Sequence, residues 1–403
     1  MTNGSRASAQ ASWPAIGHEA HTWVPSGSDD LIASRRARLQ ARGDYQAAVP
    51  PIIEAESVPL SPATAAMADD ASQELARFDA EAGLIAAPFA AILLRTESAS
   101  SSEIENLTSS AKQVALAEMG VSKSANARLV VANVRAMNAA IALSDEINKG
   151  SILAMHQALL QASAPEHVGH WRQEQVWIGG GSISPHAASF VPPHHDRVPA
   201  LMADLVEFMR RTDLPVLVQS AIAHAQFETV HPFPDGNGRT GRALLQSMLR
   251  RGRLTRSVTV PVSAGLLQDT DAYFSALTEY RAGRPDAIVT AVAEASFAAV
   301  RNGKALVADI EAAALRWDTQ VAARRDSSVH RVKDHLLRQP VVNAKTVAFE
   351  LDISEVAAQN AIARLVEARV LTQTNEGRRN RIWEAPEILA ALDAFGARAR
   401  RRK

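Results

Sequence analysis

The sequence predicts a mainly α-helical chain that carries one small β-hairpin and ends in a helix–turn–helix with a wing. Three observations lead there. Alanine-rich segments with apolar residues three and four apart recur through most of the 403 residues, the pattern of amphipathic helices. One stretch breaks that pattern: Glu174-Gln175-Val176-Trp177-Ile178, then Gly179-Gly180-Gly181, then Phe190-Val191-Pro192-Pro193. It reads as two short strands about a glycine turn. Near the end, two helical runs joined by a turn precede two β-prone segments, the order of a winged helix.

Taken in order, residues 1–60 are rich in Ala, Ser, Pro and Arg and contain the breaker Val49-Pro50-Pro51, so a loosely ordered extension over the body is expected. Residues 61–115 form an N-terminal helical region. Its helices between Ser61 and Leu94 are interrupted by a turn at Glu81-Ala82-Gly83. A further helix is expected over 102–115, opened by Ser102 and Glu105 as a capping box. Residues 116–303 form the core, with helices at 123–145 and 150–163, the hairpin, then helices at 197–211, 214–228, 239–252, 268–282 and 286–302. A linker helix occupies 304–328.

Residues 329–390 carry the winged helix. A helix at His330–Arg338 is stopped by Pro340. Asn343–Leu351, the turn Asp352-Ile353-Ser354 and Glu355–Ala368 follow, with Ser354 as cap of the second helix. Val370–Gln373 and Arg381–Trp383 make the wing. Outward Gln359, Asn360 and Arg364 are placed to face a DNA major groove, and Arg378 and Arg379 to meet phosphates. Residues 391–403 are read as a basic tail. From Val321 to Lys403 there are 16 Lys and Arg against 10 Asp and Glu, hidden within a net charge of zero. Such an excess suits a polyanion partner.

The absence of cysteine rules out disulfides, thiolate metal sites and a cysteine nucleophile. The first residues are polar, and the longest apolar run, Ala82 to Leu94, contains Pro88 and is too short to span a bilayer. A cytoplasmic protein without membrane contact is therefore expected.

One dozen residues concentrates the chemistry: His231-Pro-Phe-Pro-Asp235-Gly-Asn-Gly-Arg239-Thr-Gly-Arg242. A helical run follows at once, so Gly236-Asn237-Gly238 sits where a helix begins. Backbone N–H groups at such a turn form an anion nest, aided by the helix dipole. Arg239 and Arg242, three apart, project from similar sides and suit a di- or triphosphate. Asp235 is a hard oxygen ligand fit for Mg2+ bridging phosphates. His231 titrates near working pH and can take a proton from an attacking hydroxyl.

At these residues the chain resembles the Fic/Doc family, whose motif is His-x-Phe-x-Asp/Glu-Gly-Asn-Gly-Arg-x-x-Arg. His231, Phe233, Asp235, Gly236, Asn237, Gly238, Arg239 and Arg242 fill every specified position. The resemblance implies a Fic-type helical core and AMP transfer from ATP to a Ser, Thr or Tyr hydroxyl of a protein, the enzyme itself included. It makes His231 the general base and Asp235 the Mg2+ ligand. Gly236, Asn237, Gly238, Arg239, Thr240, Gly241 and Arg242 become the ATP- and phosphate-binding set, with Arg242 on the γ-phosphate. It also implies that the hairpin is a flap holding the target segment through Val176, Trp177, Ile178 and Val191, and that Tyr273 and Phe274 offer an aromatic wall to adenine.

Upstream, Ser101, Glu105 and Asn106 match the family's inhibitory pattern Ser/Thr-x-x-x-Glu-Gly/Asn. By the same resemblance Glu105 pairs with Arg242 and displaces the γ-phosphate, a regulation that a homodimer would suit. Two other readings stand beside AMP transfer. One is a DNA-binding regulator whose Fic module senses nucleotide. The other is a different Fic chemistry: UMP, phosphate or phosphocholine transfer, or AMP removal.

Overall fold

The computed structural model describes residues 12–23, 42–84, 88–180, 183–322, 324, 327–374 and 380–400. Helices dominate it. α1 (Pro62–Leu84) and α2 (Pro88–Ile104) are followed by α3 (Ala111–Glu118), α4 (Ala125–Ala142) and α5 (Lys149–Leu160). After an irregular stretch come α6 (Val198–Arg210), α7 (Val216–Val230), α8 (Asn237–Arg251), the short α9 (Val262–Leu266), α10 (Thr270–Arg281) and α11 (Asp286–Gln320). No described helix is long and apolar enough to cross a membrane.

The core is organised around α7. Small and apolar residues occupy every side of it, so the helix is buried from Leu217 to Val230. α1, α6, α8, α10 and α11 pack against it. Polar side chains carried into this interior find partners, as burial demands. Gln219 Nε2 donates to the carbonyls of Phe208 and Arg211 (2.8 and 3.0 Å), and Tyr280 donates its hydroxyl to Gln226 Oε1 (2.8 Å).

Several expected boundaries move, each for a physical reason. The turn expected at Glu81-Ala82-Gly83 lies inside α1, where Ala82 is buried. The helix expected over 102–115 does not form. α2 stops at Ile104, Asn106 adopts a left-handed φ of 62°, and Ser110 caps a separate α3. Ser102 does not cap; its hydroxyl donates back to the Ser98 carbonyl at 2.8 Å. The helix expected at 286–302 and the linker helix expected from 304 are one continuous α11 that ends at Gln320, because Gly303 lies against the Phe78 ring of α1 rather than in a break.

The stretch read as loose extension is partly built into the body. β1 (Gly17–Thr22) pairs antiparallel with β2 (Asp44–Val49) from Gly17–Val49 to Thr22–Asp44. Burial drives this: Trp13 packs on Tyr280 at 5.8 Å, and the amides of Ile53 and Glu54 donate to Asp204 of α6. Of the hairpin expected at 174–193, the described residues form one antiparallel bridge, Ile178 with Phe190.

At the C-terminal end, α12 (Ser328–Arg338), β3 (Val341–Val342), α13 (Ala344–Leu351), α14 (Glu355–Glu367), β4 (Thr372–Gln373) and β5 (Trp383–Glu384) follow one another. The strands form an antiparallel sheet in the order β3-β5-β4. Ser354 caps α14 by accepting from Ala357 N at 3.1 Å. The region expected to be a basic tail is largely α15 (Pro386–Ala399), which buries Ile388 and Phe395 and packs on α11. Arg378 and Arg379 lie outside the described residues.

Candidate active site

α7 ends at His231, whose φ of 49° turns the chain out of the helix while its amide still donates to Phe227 O at 2.8 Å. Gly236, at φ 79°, makes the second turn, and α8 begins. Two contacts fix the loop between them. Phe233 is fully buried, stacked on His156 with ring centroids 3.6 Å apart. Asn237 brackets the same residue, its Oδ1 accepting from Phe233 N (2.9 Å) and its Nδ2 donating to Phe233 O (2.8 Å).

The Asn237 side chain therefore serves the loop, and its amide is what remains for an anion. The first backbone bond of α8 runs from Thr240 N to Gly236 O at 3.0 Å. The amides of Asn237, Gly238 and Arg239 precede it, at the positive end of the helix dipole. Thr240 and Gly241 sit inside the helix instead. Thr240 is buried, and Gly241 faces Glu228 and Phe227 of α7, so both serve helix packing.

His231, Asp235, Gly238, Arg239, Glu105 and Leu129 border a cleft of about 410 Å³. His231 Nδ1 lies 4.0 Å from Glu228 Oε2, and its carbonyl accepts from Arg172 Nε at 2.8 Å. Burial first, then the Arg172 and Arg281 guanidiniums, push the imidazole down to about 4. It is neutral at neutral pH, as a proton acceptor must be. Burial raises Glu228 to about 7. Asp235 stands at the rim with its side chain 62% exposed; Oδ1 accepts from Gly236 N at 2.6 Å and Oδ2 lies 3.7 Å from Arg239 Nη2. Arg239 is buried, and among the described residues its Nε and Nη1 meet no acceptor.

Arg242 is held by the upstream segment. Its Nε donates to Ser101 Oγ (2.9 Å), and its Nη2 donates to Ser101 O (2.7 Å) and Glu105 Oε1 (2.8 Å). Burial pushes the Glu105 carboxyl up, but Arg242 outweighs it and the net shift is downward. Gly238 lies directly under this carboxylate: a Cβ there would come within 2.0 Å of Glu105 Oε1, so a side chain at 238 would push Glu105 aside. Asn106 ends α2 one residue later.

The remaining expected residues are more scattered. Tyr273 is buried, its hydroxyl 2.7 Å from His224 Nε2, whereas Phe274, one residue on around α10, is 48% exposed. The described lining of the cleft includes neither. In the expected flap, Val176 and Ile178 are half-buried, Trp177 meets Trp23 edge-on at 5.4 Å, and the Val191 carbonyl already accepts from Ala48 N of β2 at 3.0 Å. Gln359 and Asn360 are exposed on α14, while Arg364 donates to Ala322 O at 3.3 Å.

Three residues absent from the sequence reading matter here. Glu228 is one helical turn before His231, a spacing that was visible in the sequence. Arg172 gave no local signal; it ties the motif loop to the flap through His231 O, Glu174 O and Pro193 O. Glu97 lies two turns before Glu105 on α2, is buried, and accepts from Ser263 N and Oγ at 2.8 and 2.6 Å.

The family models agree with this geometry. Residues 146–249 match the Fic/DOC family and residues 65–142 the Fic/DOC family N-terminal region. The chain is 34% identical over 110 residues to protein adenylyltransferase fic-1 of Caenorhabditis elegans, covering 27% of this chain and 20% of that protein. It is 34% identical over 126 residues to a probable protein adenylyltransferase of Aquifex aeolicus, covering 28% and 36%. Thus it spans a fifth to about a third of these relatives' length. A Fic family protein from Desulfovibrio desulfuricans shares the fold, with a TM-score of 0.53 at 22% identity over 81% of this chain and 97% of that one. Over residues 65–142 and 146–249 the chain is thus similar to the Fic/DOC family, in its N-terminal region and its Fic/DOC part respectively.

Proposed function

We propose that the chain is a protein adenylyltransferase held in check by Glu105. A target Ser, Thr or Tyr oxygen attacks the α-phosphorus of ATP, the bond to the β-phosphate oxygen breaks, and pyrophosphate leaves. His231 Nε2 takes the hydroxyl proton. The amides of Asn237, Gly238 and Arg239, with the Arg239 guanidinium, hold the phosphates, an arrangement in which positioning and charge neutralisation supply most of the catalysis. Asp235 fits Mg2+, being a hard carboxylate 62% exposed at the cleft rim, its Oδ2 at 3.7 Å from Arg239 Nη2 and so beyond hydrogen-bond reach. When bound there, the ion neutralises charge on the departing pyrophosphate.

The observation that carries the inhibited reading is Arg242, whose Nε and Nη2 are bonded to Ser101 and Glu105. A γ-phosphate seeking that guanidinium must displace Glu105, which is 39% exposed toward the cleft and can leave without opening a sealed core. We place the protein in the cytoplasm and read residues 329–390 as a winged helix. On that unit Phe349 of α13 is 83% exposed, and Val356, one turn before Gln359 and Asn360 on α14, is 67% exposed, which favours a protein contact over a DNA groove; a gel shift with duplex DNA decides between them.

Purified chain and its Glu105→Gly variant, given ATP labelled at the α- or γ-phosphate, test the function. Label from the α-position should enter protein, at least tenfold faster in Glu105→Gly, and His231→Ala in that background should lose it by roughly 10²–10⁴-fold. Transfer of γ-label, or full activity without His231, rejects the proposal.

A further inference from the structure

α2 has two working faces. Glu97, Ser101 and Glu105 are spaced four apart and turn toward the motif, onto Ser263 and Arg242. Arg95, Ala99 and Glu103 are offset from them by two residues, about 200° around the helix, and face the C-terminal unit. Arg95 is 9% exposed and spends its whole guanidinium on contacts outside α2: Nη1 on Arg338 O (2.9 Å), Nη2 on Gln339 Oε1 (3.2 Å) and Nε on Glu118 Oε1 of α3 (3.0 Å). Glu103, two residues before Glu105, accepts from Arg400 Nε at 2.7 Å. At the start of α3, Ala111 N donates to Asp393 of α15 at 3.2 Å.

We infer that the C-terminal unit, residues 328–400, is a clamp on α2 that sets how firmly Glu105 occupies Arg242. The inference rests on reading Glu105 as the inhibitory group. The clamp is built to release. Between α2 and α15 lies a cavity of about 380 Å³ bordered by Ala99, Ser100, Leu392 and Phe395. Ile92, Leu93 and Ile104 hold α2 in the core and Ala99 packs on Val114, Val130 and Val131, so release is a small shift of the last turn of α2 toward that cavity rather than a displacement of the helix. A partner that pulls on α12 or α15 reaches Glu105 through α2, with the two sites coupled by a common two-position element.

Arg95→Ala and the milder Glu103→Gln, both in the full chain, test this by amide hydrogen exchange over residues 99–106 and by transfer of α-label. Exchange should quicken in both variants, and transfer should rise by about 5-fold or more in Arg95→Ala, the lower end of usual inter-site couplings. The double variant Arg95→Ala/Glu105→Gly should match Glu105→Gly, because the clamp acts only through that carboxylate. Unchanged exchange, faster exchange without faster transfer while Glu105→Gly is active, or a double variant quicker than Glu105→Gly each overturns the clamp. An inactive Glu105→Gly would instead reject the adenylyl-transfer reading, leaving the exchange result to judge the clamp.

Discussion

At the scale of single residues, the site is governed by what burial does to charge. His231 ends a fully buried helix beside two guanidiniums, and the result is an imidazole depressed to about 4. A base whose pKa is lowered works above that value and fails when protons reach it. In the Glu105→Gly background, transfer should therefore hold steady from neutral pH down to about 5 and fall as pH drops through about 4, with no break near 6.5. An acid limb centred near 6.5 in the pH–rate profile would show that the imidazole is not so depressed. At this scale the motif was legible because phosphate chemistry imposes residue types at fixed spacing. The role of Asn237 was not, since the bracket it forms around Phe233 depends on the loop's folded path. The same holds for Thr240 and Gly241: only the packing of α7 on α8 shows which side of the helix they take.

Among the elements, α2 carries the sharpest contrast between reading and fold. Ser102 and Glu105 have the spacing of a helix start, yet they lie at a helix end. The deciding feature is Asn106, whose left-handed backbone terminates α2 so that Glu105 projects beyond the last turn toward Arg242. Glu97 anchors the same helix from within, and burial raises its carboxyl from 4.5 to about 7. A carboxyl raised on folding stabilises the protein fully below the unfolded value and loses that contribution as pH rises to the folded one. Glu97→Gln should accordingly flatten the decline in thermal stability between about pH 4.5 and 7, a difference of at most about 3 kcal/mol. A decline of undiminished slope in calorimetric melts of the variant would assign it to other groups. The helices themselves were largely visible in their periodicity. Their joints were not, because Gly303 and Ala82 look like breaks until α1 is laid against α11.

Over the molecule as a whole, the described residues form a helical body around α7, with β1, β2 and α15 packed onto it. β1, β2 and Trp13 cover one side, and α15 lies along α11 with Trp317 donating to Glu387 at 3.0 Å. Neither attachment was readable, since each depends on contacts between residues far apart in the chain. The arrangement leaves Arg239 in an unusual position: a cation enclosed by protein at the N-terminal end of α8, two of its nitrogens facing no acceptor among the described residues. Such a group raises the free energy of the unliganded fold, and any multivalent oxyanion of suitable size relieves it. Inorganic pyrophosphate should thus delay heat unfolding in proportion to the logarithm of its concentration, with no turnover required. His231→Ala should keep that protection and Arg239→Ala should lose most of it, a pairing that scanning fluorimetry can resolve.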